Sequence, residues 1–479
     1  MYKPTIGLEI HSELATQTKM FCDCDNDPEQ IKPNVNVCPI CLGHPGTLPK
    51  MNKGAVDMVI KTGLALNCEI NKISKFDRKN YFYPDLPKAY QISQYDQPLC
   101  LNGYLILPSN GKKIRITRIH LEEDTGRLAH AADGKHSLVD FNRAGVPLME
   151  LVTEPDFDNA EDVVEFAQEF QLIIRTLKVS MADMEKGQLR IEANISIAQQ
   201  DSEKLGTKVE VKNLNSFRAV SGSIAYEIER QQKALEKGEK IIQETRGWDE
   251  AKQKTISQRS KEEAHDYRYF PEPDLPPMTF DDDYINKIKS EISELPSQKR
   301  ERISAEYNLS KTQVEILVRD QFLSDFFEES VSELKSIIPD GNPEMVYNYL
   351  VSDIKGIEAE KGIALSESKL VPLSMGTTVA FLSENKISSR VAKDVLAKSF
   401  ETGQVPEDII NSEGLGQISD ESGLESIIQD IIDNNSKVCY DYKQGKENAM
   451  QFLVGQVMAK TRGKANPEVA RQLLKKLLS

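Results

Sequence analysis

The sequence predicts an α+β protein in three parts: a mostly antiparallel β-sheet domain over residues 1–293, an all-helical domain over 294–405 and a helical tail over 406–479. Three observations carry that reading. Up to about residue 290, short runs alternate apolar and polar residues between Gly, Pro and Asn, without the regular helix-after-strand rhythm of a βαβ chain. After Pro296 the apolar residues recur at helical spacing. At Gly403-Gln404-Val405-Pro406, Gly and Pro end one helical block and open another.

Taken in order, Thr5–His11 places Ile6, Leu8 and Ile10 on one face of a strand and Glu9 and His11, followed by Glu13, on the other. Ile114–Asp124 has apolar residues at 114 and 116 and then at 119 and 121, a parity slip near Thr117-Arg118 that predicts a β-bulge. Val146–Val152 reads as a strand buried on both faces. Leu189–Ile197 and Thr207–Lys212 alternate again, and Ala160–Leu177 and Ser221–Leu235 have helical spacing. In the helical part, Ser310 and Gln313 form a capping box ahead of Val314, Leu317 and Val318. Further helices are expected near 322–337, 343–352, 372–384 and 388–399, and short helices continue from 406 to the end.

A chain of 479 residues exceeds a single core. With 28% charged and 39% hydrophobic residues it reads as a soluble globular protein. The N-terminus, MYKPTIGLEI, lacks a basic head followed by an apolar run, and no apolar run is long enough to span a membrane, so a cytoplasmic location without membrane contact is expected. Seven cysteines in so long a chain argue for reduced thiols rather than a disulfide framework. The net charge of −15 excludes nucleic-acid affinity spread over the whole surface, so any RNA contact must come from a local basic patch. Ala459–Leu478 is such a patch, with Lys460, Arg462, Lys464, Arg471, Lys475 and Lys476 against the single acid Glu468. The alternative is a solvated helix face.

Phe76–Ser93, FDRKNYFYPDLPKAYQIS, packs three basic residues, five aromatics and two prolines into eighteen positions. Aromatics at that density go inside, whereas Arg78, Lys79 and Lys88 require water or an anion. Pro84 and Pro87 bar a helix and a central strand, which predicts a rigid extended loop forming either an active-site wall or a stiff surface loop. Two carboxylates also stand in apolar surroundings: Glu150 interrupts Val146–Val152, and Glu123 continues the parity of Ile119 and Leu121. With the Glu9/His11 pair they make an oxygen-rich metal shell with one imidazole, or else each acid pairs with an arginine or lysine. Cys22-x-Cys24 and Cys38-x-x-Cys41, thirteen residues apart, have the spacing of a closed, structural four-cysteine zinc site, the plain alternative being four reduced thiols. No Gly-x-x-x-x-Gly-Lys-Ser/Thr occurs, so ATP, if bound, is not on a P-loop, and no Gly/Ser-rich amidase motif is present.

The stretch 76–93, with GLEIH at 7–11, HLEEDTG at 120–126, DFNRAGVPLMELV at 140–152, VKNLNSF at 211–217 and DYRYFPEPDL at 266–275, resembles the B subunit of the tRNA-dependent amidotransferase, the GatB family. The match runs nearly end to end. The resemblance implies a β-sheet "cradle" domain that works as kinase and transamidase, a carbon-nitrogen ligase that phosphorylates the side-chain carboxylate of Glu-tRNA(Gln) or Asp-tRNA(Asn) with ATP and then amidates it. It implies Mg2+ around Glu9, His11, Glu123 and Glu150, with Glu192 a further candidate, although an imidazole ligand would also suit manganese. It implies structural Zn2+ in a knob at about 20–45. It also implies a heterotrimer, in which the A subunit, a glutaminase, supplies ammonia and the small C subunit joins the two large ones. The tail domain would grip the misacylated tRNA. Arg78, Lys79, Lys88, Arg190 and Lys212 are candidates to face the phosphate, and Lys79, Tyr81, Lys88 and Tyr90 to line the ammonia passage. The rival reading is a non-catalytic tRNA-binding adaptor whose acids serve only in salt bridges.

Overall fold

A computed structural model describes residues 2–27, 29–131, 133–260, 266–415, 421–461 and 463–478. It divides into two compact units, Met1–Gln298 and Lys299–Ser479.

In the first unit nine strands form one sheet among the described residues. Their spatial order is Lys254–Ser260, Glu244–Asp249, Val209–Leu214, Leu189–Gln199, Tyr2–Glu13, Pro147–Thr153, Lys113–Glu123, Cys100–Ile106 and Glu69–Ile70. Every neighbouring pair is antiparallel except Val209–Leu214 with Glu244–Asp249. One face is apolar because each strand alternates: Ile6, Leu8 and Ile10, then Met149 and Leu151, Ile119 and Leu121, and Leu189, Ile191 and Ala193 enter one hydrophobic core. Helix Ala160–Thr176 covers that face with Val163, Phe166, Phe170 and Ile174, and helix Phe217–Glu236 adds Val220 and Ile224. Burying each such side chain stabilises the unit by about 1.5–3 kcal/mol relative to leaving it in water. Asn159 caps the first helix by accepting from the Asp162 N–H at 2.8 Å, and Ser216 caps the second by accepting from that of Ala219 at 3.1 Å.

The expected bulge is present. Val152 faces Arg118 while Thr153 faces Ile116, leaving Thr117 as the extra residue. The expectation of an extended loop over 76–93 is corrected: Asp77–Asn80 and Tyr90–Ser93 pair as antiparallel strands, joined by Phe270–Pro271 in a small sheet. Pro84 and Pro87 fall in the connection between the two strands, where they disrupt no ladder.

In the second unit the capping box at Ser310 and Gln313 is formed. The helix expected at 343–352 continues as Pro343–Asn348, a π-helical stretch Tyr349–Ile354, and Lys355–Lys361. Gly403 ends a helix in the left-handed region at φ 76°, which only glycine adopts freely, and Pro406 starts the next. The C-terminal helices share a core of Leu424, Ile428, Leu453, Val457, Leu473 and Leu474. Three of the basic tail residues meet acids there: Lys460 pairs with Asp430, Lys476 with Glu425 at 3.6 Å and Arg471 with Glu468 at 3.7 Å. Arg462 lies outside the described residues.

Candidate functional site

The polar face of the sheet carries the site, and strand register assembles it. Directly opposed residues on paired antiparallel strands point to the same face. Arg190, His11, Glu150 and His120 stand in one row across four strands, Glu192, Glu9, Val152 and Arg118 in the next, and Glu13, Leu148 and Glu122 on the other side. His11 Nε2 lies 3.4 Å from Glu150 Oε2 and 3.7 Å from both Glu9 Oε1 and Glu122 Oε1. His120 Nε2 is 3.2 Å from Glu150 Oε2, and an Arg118 nitrogen is 3.3 Å from Glu150 Oε1. Candidate ligand atoms of Glu9, His11 and Glu150, of His120, Glu122 and Glu150, and of Glu9, Glu192 and Glu210 lie within 4.8 Å of one another in each group. These residues, with Lys79, Tyr81, Asp124, Lys212, Tyr267 and Tyr269, line a cavity of about 580 Å³.

The electrostatics follow from crowding acids on a half-buried surface. Burial alone would lower the His11 pKa, but the hydrogen bond and charge of Glu150, with Glu122 and Glu9, push it up to about 9. Burial would raise Glu150, and His120 and His11 instead hold it well below the carboxylate range. Glu9 is raised by burial and by the charge of Glu150. The acids thus favour positive charge at this point, and three carboxylates with one or two neutral imidazoles are a donor set that fits a hard divalent ion. Cations line the same cavity. Arg190 donates to Asp124 at 2.7 Å and Lys212 pairs with Glu192 at 2.8 Å. Lys79 forms no ion pair among the described residues. Burial would lower its pKa, but the fields of Glu122 and Glu150 raise it, so it stays an ammonium.

Of the residues expected here, Glu9, His11, Glu150, Glu192, Lys79, Arg190, Lys212 and Tyr81 meet in the cavity. Glu123, Lys88, Arg78 and Tyr90 do not line it. Glu123 shares the parity of Leu121, so its side chain leaves on the opposite face, where it binds Lys88 Nζ at 2.5 Å and accepts the Ile92 N–H at 2.9 Å. The parity that marked Glu123 as buried is the parity that takes it away from His11, and Glu122 stands in the cluster instead. Arg78 is occupied by Glu272, with Nε and a terminal nitrogen at 2.7 and 2.9 Å from its two oxygens, and lies over the Tyr90 ring at 4.3 Å. His120, Glu122 and Glu210 were missed although alternation puts all three on the polar face. His120 Nδ1 is buried without a hydrogen-bond partner among the described residues.

Cys22, Cys24, Cys38 and Cys41 converge, with their sulfurs within 4.8 Å of one another, and all seven cysteines are free. The Leu42 and Gly43 N–H groups close a tight turn onto the Cys38 and Ile40 carbonyls, and the Cys38 N–H donates to Cys41 Sγ at 3.2 Å. Hydrogen bonding from Cys22 lowers the Cys41 pKa to about 5 against the effect of burial, while Cys22 itself is raised by the same bond. Lys19, fully buried, donates to the Asn36, Phe141 and Ala144 carbonyls and lies 3.8 Å from Cys41 Sγ. Four thiols at this spacing can hold a metal with no coordination position left open. No helix among the described residues is long and apolar enough to cross a membrane.

Residues 4–286 match the family described as GatB/GatE catalytic domain, and residues 325–478 match the GatB domain. Among curated proteins, the chain is 46% identical to the B subunit of an aspartyl/glutamyl-tRNA(Asn/Gln) amidotransferase from Thermotoga maritima, with 100% of this chain and 99% of the relative aligned. Proteins of the same description from Persephonella marina and Thermoanaerobacter pseudethanolicus are 47% and 48% identical over the same shares.

Proposed function

This chain belongs to the GatB family, that of the amidotransferase B subunits; from that premise we propose that it is the kinase and transamidase half of a glutamine-dependent tRNA amidotransferase, acting in the cytoplasm as a heterotrimer with the glutaminase and the small C subunit. The observation that carries the reading is the row His11, Glu150, His120 with Glu9 and Glu122, which shares one cavity with Lys79. A structural ion-pair network needs equal charges in contact. Here acids are concentrated beside a cation that has no ion-pair partner among the described residues, as a phosphoryl-transfer site requires.

Ammonia cannot displace oxide from a carboxylate at neutral pH, so the side-chain carboxylate of the misacylated residue attacks the γ-phosphate of ATP and becomes an acyl phosphate with ADP leaving. Ammonia from the glutaminase then forms the amide and releases phosphate. Glu9, His11, Glu122 and Glu150 would hold Mg2+, which when bound neutralises phosphate oxygens and orients them for in-line transfer. Lys79, held as an ammonium, stabilises charge developing on the transferring group. Arg190, Lys212 and Arg118 pair with Asp124, Glu192 and Glu150 and hold these acids in place. The cysteine cluster would hold a structural zinc ion, and the basic tail would contact tRNA phosphates.

The test uses the purified complex with ATP, ammonium salt in place of glutamine, and either Glu-tRNA(Gln) or Asp-tRNA(Asn). ATP cleavage that requires both the misacylated tRNA and a divalent ion is expected. Metal-independent tRNA binding without ATP cleavage would instead identify the chain as an adaptor.

A further inference from the structure

We propose that Lys19 is a positioning residue: it fastens the cysteine cluster to the turn entering the Glu150 strand, so that the cluster and its metal steady one wall of the catalytic cavity. The inference rests on the functional reading above and gives the structural zinc a task in the reaction. Lys19 is fully buried, and its ammonium donates to the carbonyls of Asn36 and Ala144, both at 2.7 Å, and of Phe141 at 3.3 Å. Three carbonyls match the three donors of an ammonium, but they carry no net charge. A buried ammonium needs an anion as well, and no carboxylate pairs with Lys19 among the described residues. The group that stands beside it is Cys41 Sγ, at 3.8 Å. Four thiolates around a divalent ion leave the cluster negative, so the metal site supplies the counter-charge that the carbonyls cannot.

The three carbonyls belong to two segments that the lysine draws together. Asn36 lies between the two cysteine pairs, and Phe141 and Ala144 lie in the turn before the strand Pro147–Thr153. The Met20 N–H adds a backbone bond across the same junction, donating to the Gly145 carbonyl at 2.7 Å. Gly145 adopts φ 88°, and a side-chain carbon there would lie 3.4 Å from Cys41, 3.6 Å from the Lys19 stem and 3.9 Å from a Glu123 oxygen. The turn is thus packed among the cluster, the lysine and the HLEEDTG strand.

From this turn the link reaches the cavity in one step. The Gly145 N–H donates to the Asp124 carbonyl at 2.9 Å, and the Asp124 N–H to the Val146 carbonyl at 2.8 Å. Arg143, in the same turn, donates to the Thr125 and Gly126 carbonyls at 3.1 and 2.8 Å. Asp124 and Thr125 line the cavity, and Asp124 accepts from Arg190 at 2.7 Å. The ladder that sets His11 opposite Glu150 lies further along the strands and has its own hydrogen bonds. Loss of the lysine should therefore displace Asp124 and Arg190 and spare the register of His11 with Glu150.

Lys19→Met keeps the length of the stem and removes all three donors. In the assembled complex it should weaken zinc binding, measured by competition with a chelator, and lower kcat for tRNA-dependent ATP cleavage, each by roughly 10–100-fold, with a much smaller change in the KM for misacylated tRNA. Cys38→Ser with Cys41→Ser should lower kcat in the same way. Adding Lys19→Met to that pair should lower it little further, because both changes break one link. Additive losses overturn the inference, and so does a lowered melting temperature with kcat and zinc binding unchanged, which would make Lys19 an ordinary core residue. Hydrogen exchange tests the link even where Lys19→Met fails to fold. Chelating zinc from the wild-type complex should raise exchange at the Gly145 and Asp124 amides and leave the strand Tyr2–Glu13 protected; a rise confined to 20–45 overturns the inference. A wild-type complex without zinc, or without tRNA-dependent ATP cleavage, would reject the functional reading instead. Exchange at Gly145 and Asp124 in Lys19→Met would then still decide whether the lysine holds the turn, unchanged exchange there overturning it.

Discussion

Replacing Glu123 by Gln separates two roles that adjacent acids in HLEEDTG could play. Lys88 Nζ lies 2.5 Å from Glu123 Oε1, and the side chains retain 9% and 4% of their exposure. Gln keeps the shape and removes the charge, leaving an ammonium buried without its counter-ion. Breaking a buried pair in this way costs about 3–5 kcal/mol. For a unit of this size, about 2 °C of melting temperature accompanies each kcal/mol, so calorimetry should record a fall of roughly 6–10 °C in the transition of the first unit. Glu123→Leu combined with Lys88→Met should recover most of the loss, because neither buried charge then remains. Equilibrium dialysis should find Mg2+ affinity nearly intact in the Gln variant. A variant that melts within about 1 °C of wild type but no longer binds Mg2+ would refute the assignment of Glu123 to the structural face.

Glu150→Gln should raise the Mg2+ concentration needed for tRNA-dependent ATP cleavage by at least the roughly 10–100-fold that loss of an outer hydrogen-bond partner costs, while glutamine hydrolysis by the glutaminase persists; a normal metal requirement would remove Glu150 from the metal shell. Elemental analysis of protein purified without chelator should find about one zinc per chain, the stoichiometry of a four-cysteine site, and Cys38→Ser with Cys41→Ser should abolish it while lowering activity less than Glu150→Gln does. Truncation before Pro406 should raise the KM for charged tRNA more than it lowers kcat, and flatten the salt dependence of binding by roughly 0.7–0.9 log unit for each phosphate that the tail no longer neutralises. An unchanged KM and salt slope would exclude the tail from tRNA binding. The exposed pairs Lys460 to Asp430 and Lys476 to Glu425 do not oppose this, since such pairs are worth little and readily exchange for phosphate.

What the sequence determined by itself is whatever short-range periodicity encodes. The alternation in Thr5–His11 and Leu189–Ile197, the extra residue at Thr117, the capping box at Ser310 and the stop at Gly403 each involve residues within a few positions, and each is realised in the fold. The convergence of the four cysteines was legible for the same reason, since side chains on two short segments lie close in the chain. Tertiary structure decided which side chains meet. Arg78 looked like a phosphate ligand until Glu272, 194 positions away, occupied it. Glu122 and Glu123 are neighbours with opposite fates because a strand sends successive side chains to opposite faces, and only the register against Pro147–Thr153 says which face holds His11. His11 joins that row from a strand more than a hundred residues before Pro147–Thr153, in a register set by the packing of one shared core, so no short window along the chain contains it.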